Sequence, residues 1–104
     1  SQRRQREHDI IRRVWDFMET IPYHHMKPRQ DLVDAGFCLA DPARRYLVYL
    51  PEGGAVNVKV EHGPFRVEWI NARDTAERKP APETRDGQGL KAPDGGDWLL
   101  YLTR

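Results

Sequence analysis

Val56-Asn-Val-Lys-Val60 alternates apolar and polar side chains, and after a break at His62-Gly-Pro64 the alternation resumes in Phe65-Arg-Val-Glu-Trp69. In an extended chain successive side chains point to opposite faces. Each run therefore puts its valines and aromatics on one face and Asn57, Lys59, Arg66 and Glu68 on the other, as in strands with one dry and one wet side. On either side of this pair lie Tyr46-Leu-Val-Tyr-Leu50 and Trp98-Leu-Leu-Tyr-Leu102, which are apolar on both parities. Such runs belong in the middle of a sheet covered on both faces. Turn signals separate the runs at Pro51-Glu-Gly-Gly54, His62-Gly-Pro64 and Asp94-Gly-Gly-Asp97. Short strands at this spacing, with no helix-forming stretch between them, predict a mainly β fold: an antiparallel β-sandwich and not a parallel βαβ arrangement. Residues 76–89 are rich in proline, glycine and charge and predict a mobile loop, with a weak strand near Leu90.

The N-terminal segment has a different period. At about 100° per residue, Ile10, Ile11, Val14, Trp15, Phe17, Met18 and Ile21 fall within half of a helical circle, and Arg12, Arg13, Asp16, Glu19 and Thr20 take the other half. Pro22 stops the helix, having no N–H to continue the ladder and disfavouring the helical conformation before it. The resulting division is an amphipathic α-helix over 1–21, an irregular connector over 22–36 punctuated by Pro22, Pro28 and Gly36, and a β-sandwich over 37–104. The apolar stripe is wide for a surface helix and demands a partner, which is either the sheet that follows or a neighbouring domain.

Length and composition bound the function. At 104 residues there is room for one domain and one core. The hydrophobic fraction is only 38%, but three Trp, four Tyr and three Phe supply large burial units. A net charge of +1 argues against a nucleic-acid binder, which needs a clustered excess of cations; the basic run at Arg3, Arg4 and Arg6 is followed at once by Glu7 and Asp9. No apolar run has the length of a membrane span. The chain opens on Ser and not Met, which reads as a piece of a longer protein, so the lack of a signal peptide leaves the localisation unknown. Cys38 is the one cysteine, and between Phe37 and Leu39 it reads as a buried thiol.

Constellations that could carry chemistry are thin. His24 and His25, with Tyr23 and Asp31 nearby, resemble a metal cluster, but adjacent histidines diverge on a strand or a helix and suit zinc poorly. Asp94-Gly-Gly-Asp97 lacks the further carboxylates of a calcium loop and reads as a tight turn. Glu61 and Glu68 are a carboxylate pair, yet both are expected on a solvent face away from any cleft. There is no GxSxG, P-loop, GxGxxG or HExxH pattern, and Ser1 is the only serine. These observations predict neither catalysis nor a metal or other cofactor. Tyr49, Trp98 and Tyr101 are the candidate binding residues if they stand exposed, since aromatic rings stack on sugars or proline-rich chains at low entropic cost; otherwise they are core.

Four segments in order carry a resemblance: Phe37-Cys-Leu-Ala-Asp41-Pro, Tyr46-Leu-Val-Tyr-Leu-Pro-Glu-Gly-Gly54, Phe65-Arg-Val-Glu-Trp-Ile-Asn71, and Ala92-Pro-Asp-Gly-Gly-Asp-Trp-Leu-Leu-Tyr-Leu102. Over roughly residues 37–102 the chain resembles the domain family labelled collagen-binding at the C-terminus of glycoside-hydrolase-like (β/α)8-barrel proteins. The family's Trp-x-Asn-Pro-Arg-x-Gly turn is here Trp69-Ile-Asn-Ala-Arg-Asp-Thr75, without the Pro and Gly. The resemblance implies a β-sandwich appended to a catalytic barrel, with the helix at 1–21 as the last barrel helix and the barrel as the partner. The expected function is then a non-catalytic accessory domain. A binding module for collagen-like protein or polysaccharide is the alternative, and a free-standing enzyme is the third reading.

Overall fold

The computed structural model of the chain describes residues 12, 15–21, 23–41, 44–60 and 63–104. Ile10, Ile11 and Val14, three of the seven residues of the expected helical stripe, lie outside them. Arg12 and residues 15–18 are helical. The chain then runs through a 3-10 turn at Tyr23–His25, β1 (Lys27–Pro28), a second 3-10 turn at Gln30–Leu32, β2 (Phe37–Asp41), β3 (Arg45–Leu50), β4 (Ala55–Val56), β5 (Phe65–Asn71), β6 (Asp74–Thr84), β7 (Leu90–Lys91) and β8 (Trp98–Thr103).

Six strands form one antiparallel sheet in the order β1-β2-β3-β8-β5-β6, and β4 pairs with β7 in a small second sheet. The two runs that are apolar on both parities, β3 and β8, take the centre, as their sequence requires. The mainly β, antiparallel fold with a short N-terminal helix matches the expectation from sequence.

Register sorts the side chains onto two faces. On one face Cys38, Val48, Leu100 and Trp69 align across β2, β3, β8 and β5, with Ala40, Tyr46, Leu102 and Val67 in the next row. The second layer closes over them with Val56, Val58 and Ala92, helped by the partly buried Leu32, Val33 and Leu90. A bridge between Val33 and Val58 ties the 22–36 connector into that layer. Tyr46 and Phe65 meet edge to face at 5.3 Å, the arrangement that aromatic quadrupoles favour.

The opposite face is covered by the helix. Phe17 and Met18 are buried together with Leu47, Ile70 and Leu99, so the helix docks on its own sheet. Trp15, placed in the apolar stripe by sequence, is instead 52% exposed. Relative to Trp15, Phe17, Ile21 and Met18 point about 200°, 240° and 300° round the helix, so Trp15 sits about 110° from the centre of the stripe, on its margin.

The second correction concerns residues 76–89. Most of this segment is β6, an eleven-residue edge strand from Asp74 to Thr84, and only 85–89 remains a loop before the expected short strand at Leu90. Proline and charge, read as loop signals, suit a sheet edge equally well. Pro80 and Pro82 remove donors from the strand, and the Ala76 amide donates to the Asp74 carboxylate at 3.2 Å. An edge treated in this way offers few free N–H groups to a foreign strand.

Candidate functional site

The helix crosses the middle of its sheet face and leaves a hollow on each side. Two rows of the register define what those hollows contain. Phe37, Tyr49, Leu99, Ile70 and Arg78 form one row from β2 to β6; Leu39, Leu47, Tyr101, Glu68 and Pro80 form the next. Each row is apolar at its β2 end and carries a charge toward the other, Arg78 on β6 in the first and Glu68 on β5 in the second.

The hollow on the β2 side holds about 260 Å³ and is walled by Met18, Pro28, Phe37, Leu39, Leu47 and Tyr49. Phe37 is 64% exposed, and with Trp15 it is one of two large apolar side chains left open among the described residues. The hollow on the β6 side holds about 350 Å³ and is lined by Arg66, Glu68, Arg78, Glu83, Tyr101 and Thr103. Tyr101 is held from two directions: Phe17 packs on it edge to face at 5.8 Å, and Arg45 Nη1 donates to its hydroxyl at 3.4 Å. Arg78 is paired with Glu68 at 3.3 Å and lies 5.4 Å over the Phe17 ring.

The three aromatic candidates do not share a surface. Tyr49 and Tyr101 are diagonal neighbours on the helix-bearing face, one in each hollow. Trp98 has the opposite parity and is 0% exposed in the core. A stacking role for Trp98 is thereby corrected, because its ring has no solvent face. Its Nε1 donates to Asp94 Oδ1 at 2.8 Å.

That bond belongs to a polar clamp at one end of the sheet. Asn71 Oδ1 accepts from the Arg73 amide at 2.9 Å and from Arg73 Nε at 3.0 Å, while Asn71 Nδ2 donates to Glu77 at 2.8 Å. Arg73 reaches Asp94 at 3.5 Å, and the Gly96 amide donates to the same carboxylate at 2.8 Å. Asp94-Gly-Gly-Asp97 is thus a turn that its first aspartate locks. The Trp98 indole and then the Gly96 amide hold the Asp94 carboxyl below its ordinary 3.8. A lowered folded-state value means that this group's contribution to stability is present above 3.8 and is lost as pH falls through the folded value. Asp94→Asn keeps an acceptor for Trp98 and removes the titration. Its melting temperature is expected to fall less steeply than the wild type's below about pH 4; parallel curves would contradict the clamp.

The remaining candidates are dispersed. His24 and His25 are exposed in the first 3-10 turn, while Asp31 is committed to Arg29 at 2.9 Å and its carboxyl is lowered by that partner. No group of three or more His, Cys, Asp and Glu among the described residues is placed to hold a metal. Glu61 lies outside the described residues, and Glu68 is the partner of Arg78. Burial pushes the Cys38 thiol up to about 11, which leaves it protonated and inert at neutral pH.

With this geometry in view, one solved structure is informative. The chain is similar in fold to a glycoside hydrolase family 5 protein from Bacteroides vulgatus ATCC 8482, with a TM-score of 0.69 at 16% identity. The similarity covers 90% of this chain but 23% of that one, so this chain spans under a quarter of the glycoside hydrolase's length. No family model matches the sequence, and no curated protein matches it. At this identity the likeness is one of fold.

The sequence offers Tyr49 and Tyr101 as candidates but not what surrounds them. In sequence Phe37 is a neighbour of Cys38 and the first residue of a resemblance segment; the structure gives it the parity of Leu39 and pairs it with Tyr49. Arg66 was read as a wet position. The signal that could have found both is register: once β2–β3 and β5–β8 are paired, Phe37 falls in the row of Tyr49 and Arg66 in the row next to that of Tyr101.

Proposed function

We propose that this chain is a non-catalytic accessory domain of a glycoside-hydrolase-like protein, and that it packs on the catalytic barrel through the hollow at Phe37 and Tyr49. The observation that carries the reading is the match of nearly the whole chain to a fraction of a glycoside hydrolase chain. Two further features support it. Phe37 and Trp15 stand open on the same side of the sheet, and apolar surface left open next to a concave apolar hollow is typical of a contact surface. The polar clamp explains the Asp94 and Arg73 motif as a structural device, so these residues need no catalytic role.

The test is made in the encoding polypeptide. Phe37→Ser removes a side chain that contributes little to the domain's own core, so the isolated domain is expected to change by no more than about 0.5 kcal/mol. In the intact polypeptide the same change is expected to lower the melting temperature of the catalytic barrel and to make the junction more sensitive to protease. A polypeptide without a barrel, or a barrel that melts as before, would refute the reading.

A further inference from the structure

The hollow on the β6 side is chemically unlike its neighbour. A third register row sets Asp41, Arg45, Thr103 and Arg66 side by side across β2, β3, β8 and β5. Tyr101 stands one row away, and Glu83 comes in from β6, where the β5–β6 ladder slips between Phe65 and Val67. Arg66 and Glu83 are both exposed, and neither makes an ion pair or side-chain hydrogen bond with another described residue. An unengaged guanidinium, an unengaged carboxylate and the Thr103 hydroxyl thus surround a tyrosine whose ring and hydroxyl are already fixed by Phe17 and Arg45.

Each ligand class asks for a different set of groups. A site of arginines alone selects anions, and a site of carboxylates alone selects cations. Here one unengaged group of each sign, beside the Arg78–Glu68 pair, and a neutral hydroxyl border an aromatic ring, which suits a neutral ligand with both donors and acceptors on its rim and an apolar face. A pyranose is such a ligand: its ring C–H groups can lie on an aromatic face while its hydroxyls form charge-assisted hydrogen bonds with arginine and carboxylate. The volume of about 350 Å³ falls at the small end of the range for ligand clefts. The immobilised tyrosine lowers the ordering cost of binding.

We propose that this groove is a saccharide-binding subsite, in which a pyranose ring lies against Tyr101 and its hydroxyls are held by Arg66, Glu83 and Thr103. The proposal deepens the accessory reading, on which the choice of polysaccharide fragments over other polyols rests.

The experiment is an NMR titration of the isotope-labelled 104-residue chain with cellohexaose, xylohexaose, laminarihexaose and mannohexaose, each at millimolar concentration. Saturable shifts centred on Arg66, Glu83, Tyr101 and Thr103 are expected with at least one of them. Arg66→Ala and Glu83→Ala are surface changes that leave the rest of the spectrum in place, and each is expected to weaken that binding about tenfold. The proposal is overturned by no shift with any of the four, by shifts centred on Phe37 and Tyr49, or by variants that bind as the wild type does. The titration uses no barrel, so failure of Phe37→Ser to affect a barrel would refute the docking surface and leave this result standing.

Discussion

Trp98→Ala is expected to lower the free energy of unfolding by about 3–5 kcal/mol, the range for truncating a large buried aromatic. Three features of the site put the change there. Trp98 has no exposed surface, it starts the central strand β8, and it lies in register between Leu50 of β3 and Asn71 of β5. Its indole N–H is the donor that Asp94 accepts, so truncation also removes one arm of the clamp that holds the last turn. The Arg73 guanidinium and the Lys79 ammonium lie 5.9 and 5.6 Å from the ring and lose a polarisable surface to rest on. For a domain whose whole stability is about 5–15 kcal/mol, the loss is a large share of the total. A denaturant titration measures it. Trp98→Phe keeps most of the ring volume and is expected to lose less. A Trp98→Ala protein as stable as the wild type, but unable to bind saccharide, would return Trp98 to the role of a ligand-contacting residue.

Trp98 and Tyr101 also mark the limit of what the sequence discloses. Alternation over Phe65–Trp69 identifies a half-wet strand, and apolar character on both parities identifies β3 and β8 as central; both readings follow from the chemistry of the side chains alone. Within a run such as Trp98-Leu-Leu-Tyr-Leu102, however, both parities are apolar, so nothing local says which face meets the second layer and which meets the helix. That is decided by register with β3 and β5, a long-range property. Edge strands are hidden for a related reason. Asp74–Thr84 carries prolines and charges because its outer side has no partner, and the same residues in isolation describe a loop. The helix was legible as a helix, but its docking depends on the complementary row of Leu47, Ile70 and Leu99, which three separate strands supply. The saccharide groove is the least legible feature. Its polar members come from β5, β6 and β8, and each is indistinguishable in sequence from an ordinary solvated position.

Gly53→Ala is expected to destabilise the domain by about 2 kcal/mol or more, and Gly54→Ala by about 1 kcal/mol. Both glycines have positive φ, 65° and 83°, so an alanine at either carries the cost of the left-handed conformation. They differ in what the new methyl group meets. At Gly54 there is nothing within 4 Å, whereas at Gly53 the methyl group would run into the backbone carbonyl of Asp94 and the Cα of Gly95. A backbone obstacle cannot rotate away, so the turns at 51–54 and 94–97 must separate. That separation would strain the hydrogen bond from the Ala92 amide to the Gly54 carbonyl, 2.8 Å, and the Asp94 clamp beyond it. The difference between the two variants, read from paired denaturation curves, therefore reports how closely the two turns are packed; equal losses would mean that they are not in contact. The requirement is one-sided: a Cβ at Gly95 would meet only the Glu52 carbonyl at 3.9 Å, and one at Gly96 would meet the Arg73 guanidinium and not the 51–54 turn. Gly53 is then the glycine that the fold's closure at this end of the sheet demands. The chemistry that could distinguish this domain from others built the same way lies on the helix-bearing face, in the rows that end at Phe37 on one side and Arg66 on the other.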